Sequence, residues 1–190
     1  SAGVGWPRCL APELRRLGET LCECEAEGLE PPHVVAAFRL LVLTGCRLRE
    51  IQTLQWSFVT ERGLELPDTK TGGRCVPLPT PARETLSALP RKPDNPFVIA
   101  GAIEGQHVTD LQKPWRRIRA LAGLDDVRIH DLRHTYASTA VSNGMPIQMV
   151  GKLLGHTLLQ PTLRYAHLDA DPVQRAAEEN ASRLAAAMQA

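Results

Sequence analysis

A chain of 190 residues can bury one sizeable core and is too short for two full domains. Hydrophobic residues make up 43% of it and charged residues 23%, which excludes a disordered or fibrous chain and predicts an ordinary globular one. The formal net charge of +1 argues against a surface that binds nucleic acid throughout, because such domains are strongly basic.

Leu14, Leu17 and Leu21 recur at helical spacing between Ala11 and Glu27, and Pro12 stands where a first helical turn tolerates it, so a surface helix is predicted. Glu30-Pro31-Pro32 then breaks the chain. His33 to Leu43 is nearly all apolar and predicts a buried helix ending near Thr44-Gly45. The apolar run from Val34 to Leu43 is interrupted by Arg39 and is too short to cross a bilayer. With no charged-then-apolar leader pattern at the amino terminus, a cytoplasmic location is expected. Arg47 follows the helix end. Leu48, Ile51 and Leu54 keep a helical period, so Arg47 opens a further helix with Glu50 in its first turn.

From Trp56 the period changes. Phe58-Val59, Leu64-Glu65-Leu66 and Cys75-Val76-Pro77-Leu78 are short runs of strand formers, separated by Glu61-Arg62-Gly63 and by Asp68 to Gly73. They predict three small antiparallel strands with Lys70 in the second turn. Thr80-Pro81 opens a helix through Leu89, and Pro90 to Pro96 is a proline-rich connection. Val108 to Leu121, Asp131 to Asn143, Ile147 to Leu153 and Leu163 to Ala166 are the next helical segments, and Asp171 to Met188 closes the chain as an alanine-rich helix. Cys9, Cys22, Cys24, Cys46 and Cys75 are odd in number and scattered, which predicts reduced thiols. Charge is unevenly spread: residues 1–30 hold three Arg against six Glu, whereas residues 113–135 hold six Lys or Arg against three Asp. Lys113, Arg116, Arg117 and Arg119 surround Trp115, and this segment reads either as a contact for a DNA backbone or as a solvated helical face.

The reactive side chains concentrate in the last third. His130-Asp131-Leu132-Arg133-His134 is followed by Leu154-Gly155-His156 and then by Tyr165 in Leu163-Arg164-Tyr165-Ala166-His167. A guanidinium matches phosphate with two parallel hydrogen bonds, an imidazole moves protons near neutral pH, and a phenol is a nucleophile once activated. Such a set suits attack of a tyrosine on a phosphodiester.

Together with Thr44-Gly45-Cys46-Arg47-Leu48-Arg49-Glu50, these motifs resemble the catalytic domain of the tyrosine recombinases, or phage integrase family, from about Pro31 to Leu168. The resemblance implies a fold that is mainly α with a small three-stranded antiparallel β-sheet. Residues 1–168 would form the catalytic domain and 169–190 a tail helix. Family members carry a separate amino-terminal DNA-clamping domain, and the expectation is that this chain is a fragment without it. The resemblance further implies site-specific cleavage and rejoining of DNA through a 3′-phosphotyrosine, without metal, ATP or other cofactor. In that scheme Arg47 and Arg133 clamp the phosphate and Lys70 protonates the leaving 5′ oxygen. His130 exchanges the tyrosine proton, His156 bonds a non-bridging oxygen, and Tyr165 attacks. The implied partners are double-stranded DNA and further copies of the chain on that DNA, in a tetramer for the complete protein, with no membrane. The sequence departs from the family where small hydroxyl residues are frequent: Leu158 and Pro161 stand there. Pro161 favours placing Tyr165 on a separate short element, expected to be mobile.

Other readings remain open at this stage. Arg47 can cap carbonyls or pair with Glu50, and Lys70 can be a solvated turn lysine, with Arg74 close by. His130 and His134 share a helical face and can bind zinc if a third ligand joins them. The tail stripe of Ala181, Leu184, Ala185 and Met188 can dock on a neighbour or fold back. A type IB topoisomerase or a non-catalytic DNA-binding relative are the alternative functions.

Overall fold

The computed structural model describes residues 11–67, 73–156 and 160–168, together with scattered positions between 177 and 188. Helix α1 (Ala11–Ala26) lays Leu17, Leu21 and Cys24 on α2 (Pro32–Thr44), which lies at the centre of the molecule. Val34, Val35, Ala36, Ala37, Phe38, Leu40 and Leu41 of α2 are all buried, so its near-continuous apolar sequence reflects packing on more than one side. Phe38 meets Trp115 of α5 (Gln112–Leu121) with ring centroids 5.1 Å apart. Gly45 ends α2 in the left-handed conformation, φ 63°, and its N–H caps the Leu41 carbonyl at 3.1 Å.

Helix α3 (Leu48–Gln52) follows, then a 3-10 turn at Trp56–Phe58 and two strands, β1 (Leu64–Leu66) and β2 (Arg74–Val76). The strands are antiparallel, in the register Leu64 with Val76 and Leu66 with Arg74. The expected third strand is reduced to a single bridge between Val59 and Leu64. The backbone just before it is committed elsewhere: Trp56 N–H bonds the Pro96 carbonyl at 2.9 Å and Val98 N–H bonds Leu54 at 2.8 Å, so Phe58 curls into the 3-10 turn. Two strands, not three, form the sheet among the described residues.

Helices α4 (Thr80–Ser87), α5, α6 (Ile129–Ser142), α7 (Ile147–Leu154) and the one-turn α8 (Gln160–Leu163) complete the described fold. Helix α5 starts later than Val108 because that residue is extended and bonded to Ile99, and Asp110 Oδ1 accepts from the Gln112 and Lys113 amides. The main core lies among α1 to α5 and the first turn of α6. A second, smaller cluster of Ala137, Val141, Val150, Leu154 and Tyr165 joins the far end of α6 to α7 and the segment after α8. The described positions between 177 and 188 are helical, and Leu184 and Met188 there are exposed. The rest of the expected tail helix and the loop bearing Lys70 lie outside the described residues. No helix among the described residues is long and apolar enough to cross a membrane.

Candidate active site

Helix α7 ends at Gly155, left-handed at φ 67°, leaving its last carbonyls without helical partners at the negative end of the helix dipole. Three arginines from three elements converge on them. Arg74 Nη1 of β2 donates to Leu153 O at 3.0 Å, Arg133 Nη2 of α6 to Leu154 O at 2.6 Å, and Arg47 Nη2 reaches Gly155 O at 3.5 Å. Arg133, only 6% exposed, also gives Nη1 to the Gly45 carbonyl at 2.5 Å. Burial, then the neighbouring charges of Arg47 and Arg74, depress its pKa to about 10, which leaves it charged at neutral pH.

Glu50 holds the cluster together. Its Oε1 accepts from Arg47 Nη1 at 2.8 Å and its Oε2 from Arg74 Nη2 at 2.7 Å, while the Arg47 amide caps it at 2.6 Å. Burial works to raise the Glu50 carboxyl, and the Arg47 amide and Arg74 outweigh it, so its pKa falls below the usual range. Arg47 keeps half of its side chain in solvent, at 49%, and is the guanidinium most open to an incoming anion. Asp131 is fully buried and tied to the Arg128 amide at 2.8 Å, so it caps α6.

His156 sits between Arg133 and Thr162. Arginine can only donate, so Nε2 of His156 accepts from Arg133 Nη2 at 3.2 Å, and the proton lies on Nδ1, which donates to Thr162 Oγ1 at 2.7 Å. Burial, then Arg133 and Arg47, push its pKa down to about 4, consistent with a neutral ring. His130, in the first turn of α6, is exposed, and its ring meets His134 edge-on at 4.7 Å. His134 is 6% exposed, and its Nδ1 is hydrogen-bonded to the hydroxyl of Tyr165, which is itself 6% exposed. Burial, then His130, bring the His134 pKa down to about 4, while burial raises that of the Tyr165 phenol.

Arg47, Arg133 and His156 thus meet at the end of α7, and His130 and Tyr165 both contact His134, the residue next to Arg133 on α6. Lys70 lies outside the described residues. Three contributors carry no signal in the motifs: Arg74, whose Nε is buried without a hydrogen-bond partner; Thr162, fully buried beside His156; and His134 as the partner of Tyr165. Among the described residues no three His, Cys, Asp or Glu side chains group to hold a metal ion. On α5, Trp115 is buried with its Nε1 on the Val127 carbonyl at 2.9 Å, so it is no surface aromatic. Arg117 forms a two-pronged pair with Glu30, and Arg119 bonds Val127, whereas Lys113 and Arg116 are exposed.

Guanidinium, imidazole and phenol side chains are groups able to bind and transfer phosphate. The chain belongs to the phage integrase family, which matches residues 13–171. It is 30% identical over 161 residues to the tyrosine recombinase XerD of Brucella suis, spanning 75% of this chain and 52% of that protein. The catalytic domain of bacteriophage HP1 integrase superposes with a TM-score of 0.66 at 27% identity, covering 86% of this chain and 90% of that one. XerH site-specific recombinase in a post-cleavage complex with its palindromic difH substrate gives 0.69 at 26% identity, over 93% of this chain and 54% of that one. The chain spans about half the length of the curated relatives it matches.

Proposed function

We propose that this chain is the catalytic domain of a site-specific DNA recombinase that cuts and rejoins strands through a phosphotyrosine at Tyr165. The observation that carries the reading is the convergence of Arg47, Arg133 and His156 on the end of α7, with the Tyr165 hydroxyl one helical turn along α6 from His130. Membership of the family and the DNA-bound state of XerH support it.

A phosphodiester enters at the exposed face of Arg47 and draws the guanidinium donors of Arg47 and Arg133 from the α7 carbonyls to its non-bridging oxygens. Both present planar guanidinium forks aimed where charge grows in the transition state. The anion raises the His156 pKa, so a protonated Nε2 joins the clamp while Nδ1 stays on Thr162. The Tyr165 oxygen attacks phosphorus, its proton leaves through His130, and the bond to the 5′ oxygen breaks as Lys70 supplies that oxygen with a proton. One phosphoester replaces another, so a second 5′ hydroxyl can reverse the step without ATP or metal. Double-stranded DNA is the substrate and further copies of the chain are the partners on it. The tail after residue 168 would dock on a neighbouring copy or fold back on its own domain. Lys113 and Arg116 would touch DNA backbone directly, with Arg119; Arg117 would first have to leave Glu30.

The test is to incubate the chain with a pool of nicked duplexes of randomised sequence and recover DNA that stays attached in denaturant. Attachment that disappears in Tyr165→Phe supports the reading. Relaxation of plasmid without sequence preference points instead to a topoisomerase, and no attachment with any duplex removes the catalytic reading.

A further inference from the structure

Among the described residues, the hydroxyl of Tyr165 bonds a histidine rather than an arginine. Its ring packs with Ala137, Val141, Val150 and Leu154, and its hydroxyl is bonded to His134 Nδ1. The terminal nitrogens of Arg133 are taken up by Gly45, Leu154 and His156. We propose that His134 is a positioning residue: it stores the Tyr165 hydroxyl, proton retained, in a buried seat that the hydroxyl must leave, past His130, to reach Arg133. This rests on Tyr165 being the nucleophile.

Two physical arguments separate storage from activation. In the proposed state His134 is neutral with Nδ1 as acceptor and the phenol donates, so the contact keeps the proton on the oxygen that must lose it. Burial raises the pKa of the phenol and lowers that of the imidazole to about 4, so both shifts oppose moving the proton from Tyr165 to His134 while the pair stays buried. The exit is built in. The His130 ring touches His134 edge-on at 4.7 Å and is exposed where His134 is buried, so a hydroxyl leaving one imidazole meets the other on its way to solvent. The segment that carries Tyr165 is held at its near end by Thr162 on His156, so a change at the phosphate-facing histidine reaches the tyrosine through three residues.

The chain has two tyrosines, Tyr136 and Tyr165, so 3-fluorotyrosine labelling gives two fluorine resonances, assigned with Tyr136→Phe. In the unsubstituted chain the Tyr165 resonance should show little solvent isotope shift. His134→Phe keeps an aromatic ring and removes the acceptor. It should move that resonance towards its exposed position, leave Tyr136 in place, and speed attachment to the nicked-duplex pool about fivefold, the worth of one net hydrogen bond. His134→Gln, which restores an acceptor, should return the resonance part of the way. A Tyr165 resonance already solvent-exposed in the unsubstituted chain, one unmoved in His134→Phe, or attachment unchanged or slower in that variant overturns the proposal. If the resonance moves as expected and no variant, nor the parent chain, ever attaches to DNA, the storage contact stands and the strand-cleavage reading falls.

Discussion

Arg133 donates to the Gly45 carbonyl at 2.5 Å, so the arginine of α6 is fastened to the turn that presents Arg47, 86 positions earlier in the chain. The two arginines are therefore linked through one turn, in addition to the support Glu50 gives Arg47 and Leu154 gives Arg133. Arg133→Lys keeps the charge and loses the fork, leaving buried carbonyls of Gly45 or Leu154 unsatisfied. Stability should drop by about 2 kcal/mol in urea titration. DNA attachment should fall by about a hundredfold or more, the effect of removing one preorganised donor.

Glu50 and Arg74 are each under one-fifth exposed at the side chain and 2.7 Å apart. Removing one leaves the other charge buried, so Glu50→Ala should cost about 3 kcal/mol. The double variant with Arg74→Met should lose less than the sum of the single losses, with a coupling of about 1 kcal/mol or more. Additive losses would mean that the carboxylate serves Arg47 alone.

Gly155 combines a positive φ with no room: a Cβ there would stand 2.5 Å from Arg74 Nη1 and 2.6 Å from its Cδ. Gly155→Ala should lower stability by about 1–2 kcal/mol through the backbone alone. It should also push Arg74 from Glu50, visible as a smaller cost when Arg74→Ala is already present. Equal costs in the two backgrounds would show that the crowding is relieved some other way.

His134 and His156 both have folded pKa values of about 4, below the ordinary 6.5. The unfolded chain then takes up protons below pH 6.5 that the folded chain refuses until about pH 4. Stability is fully present above 6.5 and declines as pH falls through that window, by roughly 1.4 kcal/mol per pH unit for each histidine. Urea midpoints at pH 7, 5.5 and 4.5 measure the slope, and His134→Gln should reduce it by about half. A flat profile between 6.5 and 4.5 would show that neither ring is held neutral.

The helices were legible where one residue pattern decides one element. The apolar run of α2, the left-handed stop at Gly45 and the restart at Arg47 follow from period and cap chemistry, and the structure places them within a residue or two. From the motif order came the expectation that Arg47, Arg133, His156 and Tyr165 share one site; Arg47, Arg133 and His156 meet at the end of α7, and the Tyr165 hydroxyl is bonded to His134. What sequence could not give were partners chosen across long separations. Arg117 with Glu30, Arg74 with Leu153 and Tyr165 with His134 are matters of tertiary packing, and no local spacing encodes them. Trp115 had a readable clue in Ile118, one turn on and also buried, which marks an inward face; the surrounding cations concealed it. The third strand failed because strand propensity at Phe58-Val59 was outcompeted by backbone pairing with residues 96–98.

The central claim is that the Tyr165 oxygen becomes the attachment point of a cleaved strand. Digesting the denatured protein–DNA product with nuclease and protease, then weighing the peptides, tests it most directly. The account predicts a Tyr165 peptide bearing a nucleotide through its 3′ phosphate, with a free 5′ hydroxyl on the released strand. Attachment through a 5′ phosphate, or at any residue other than Tyr165, would contradict it.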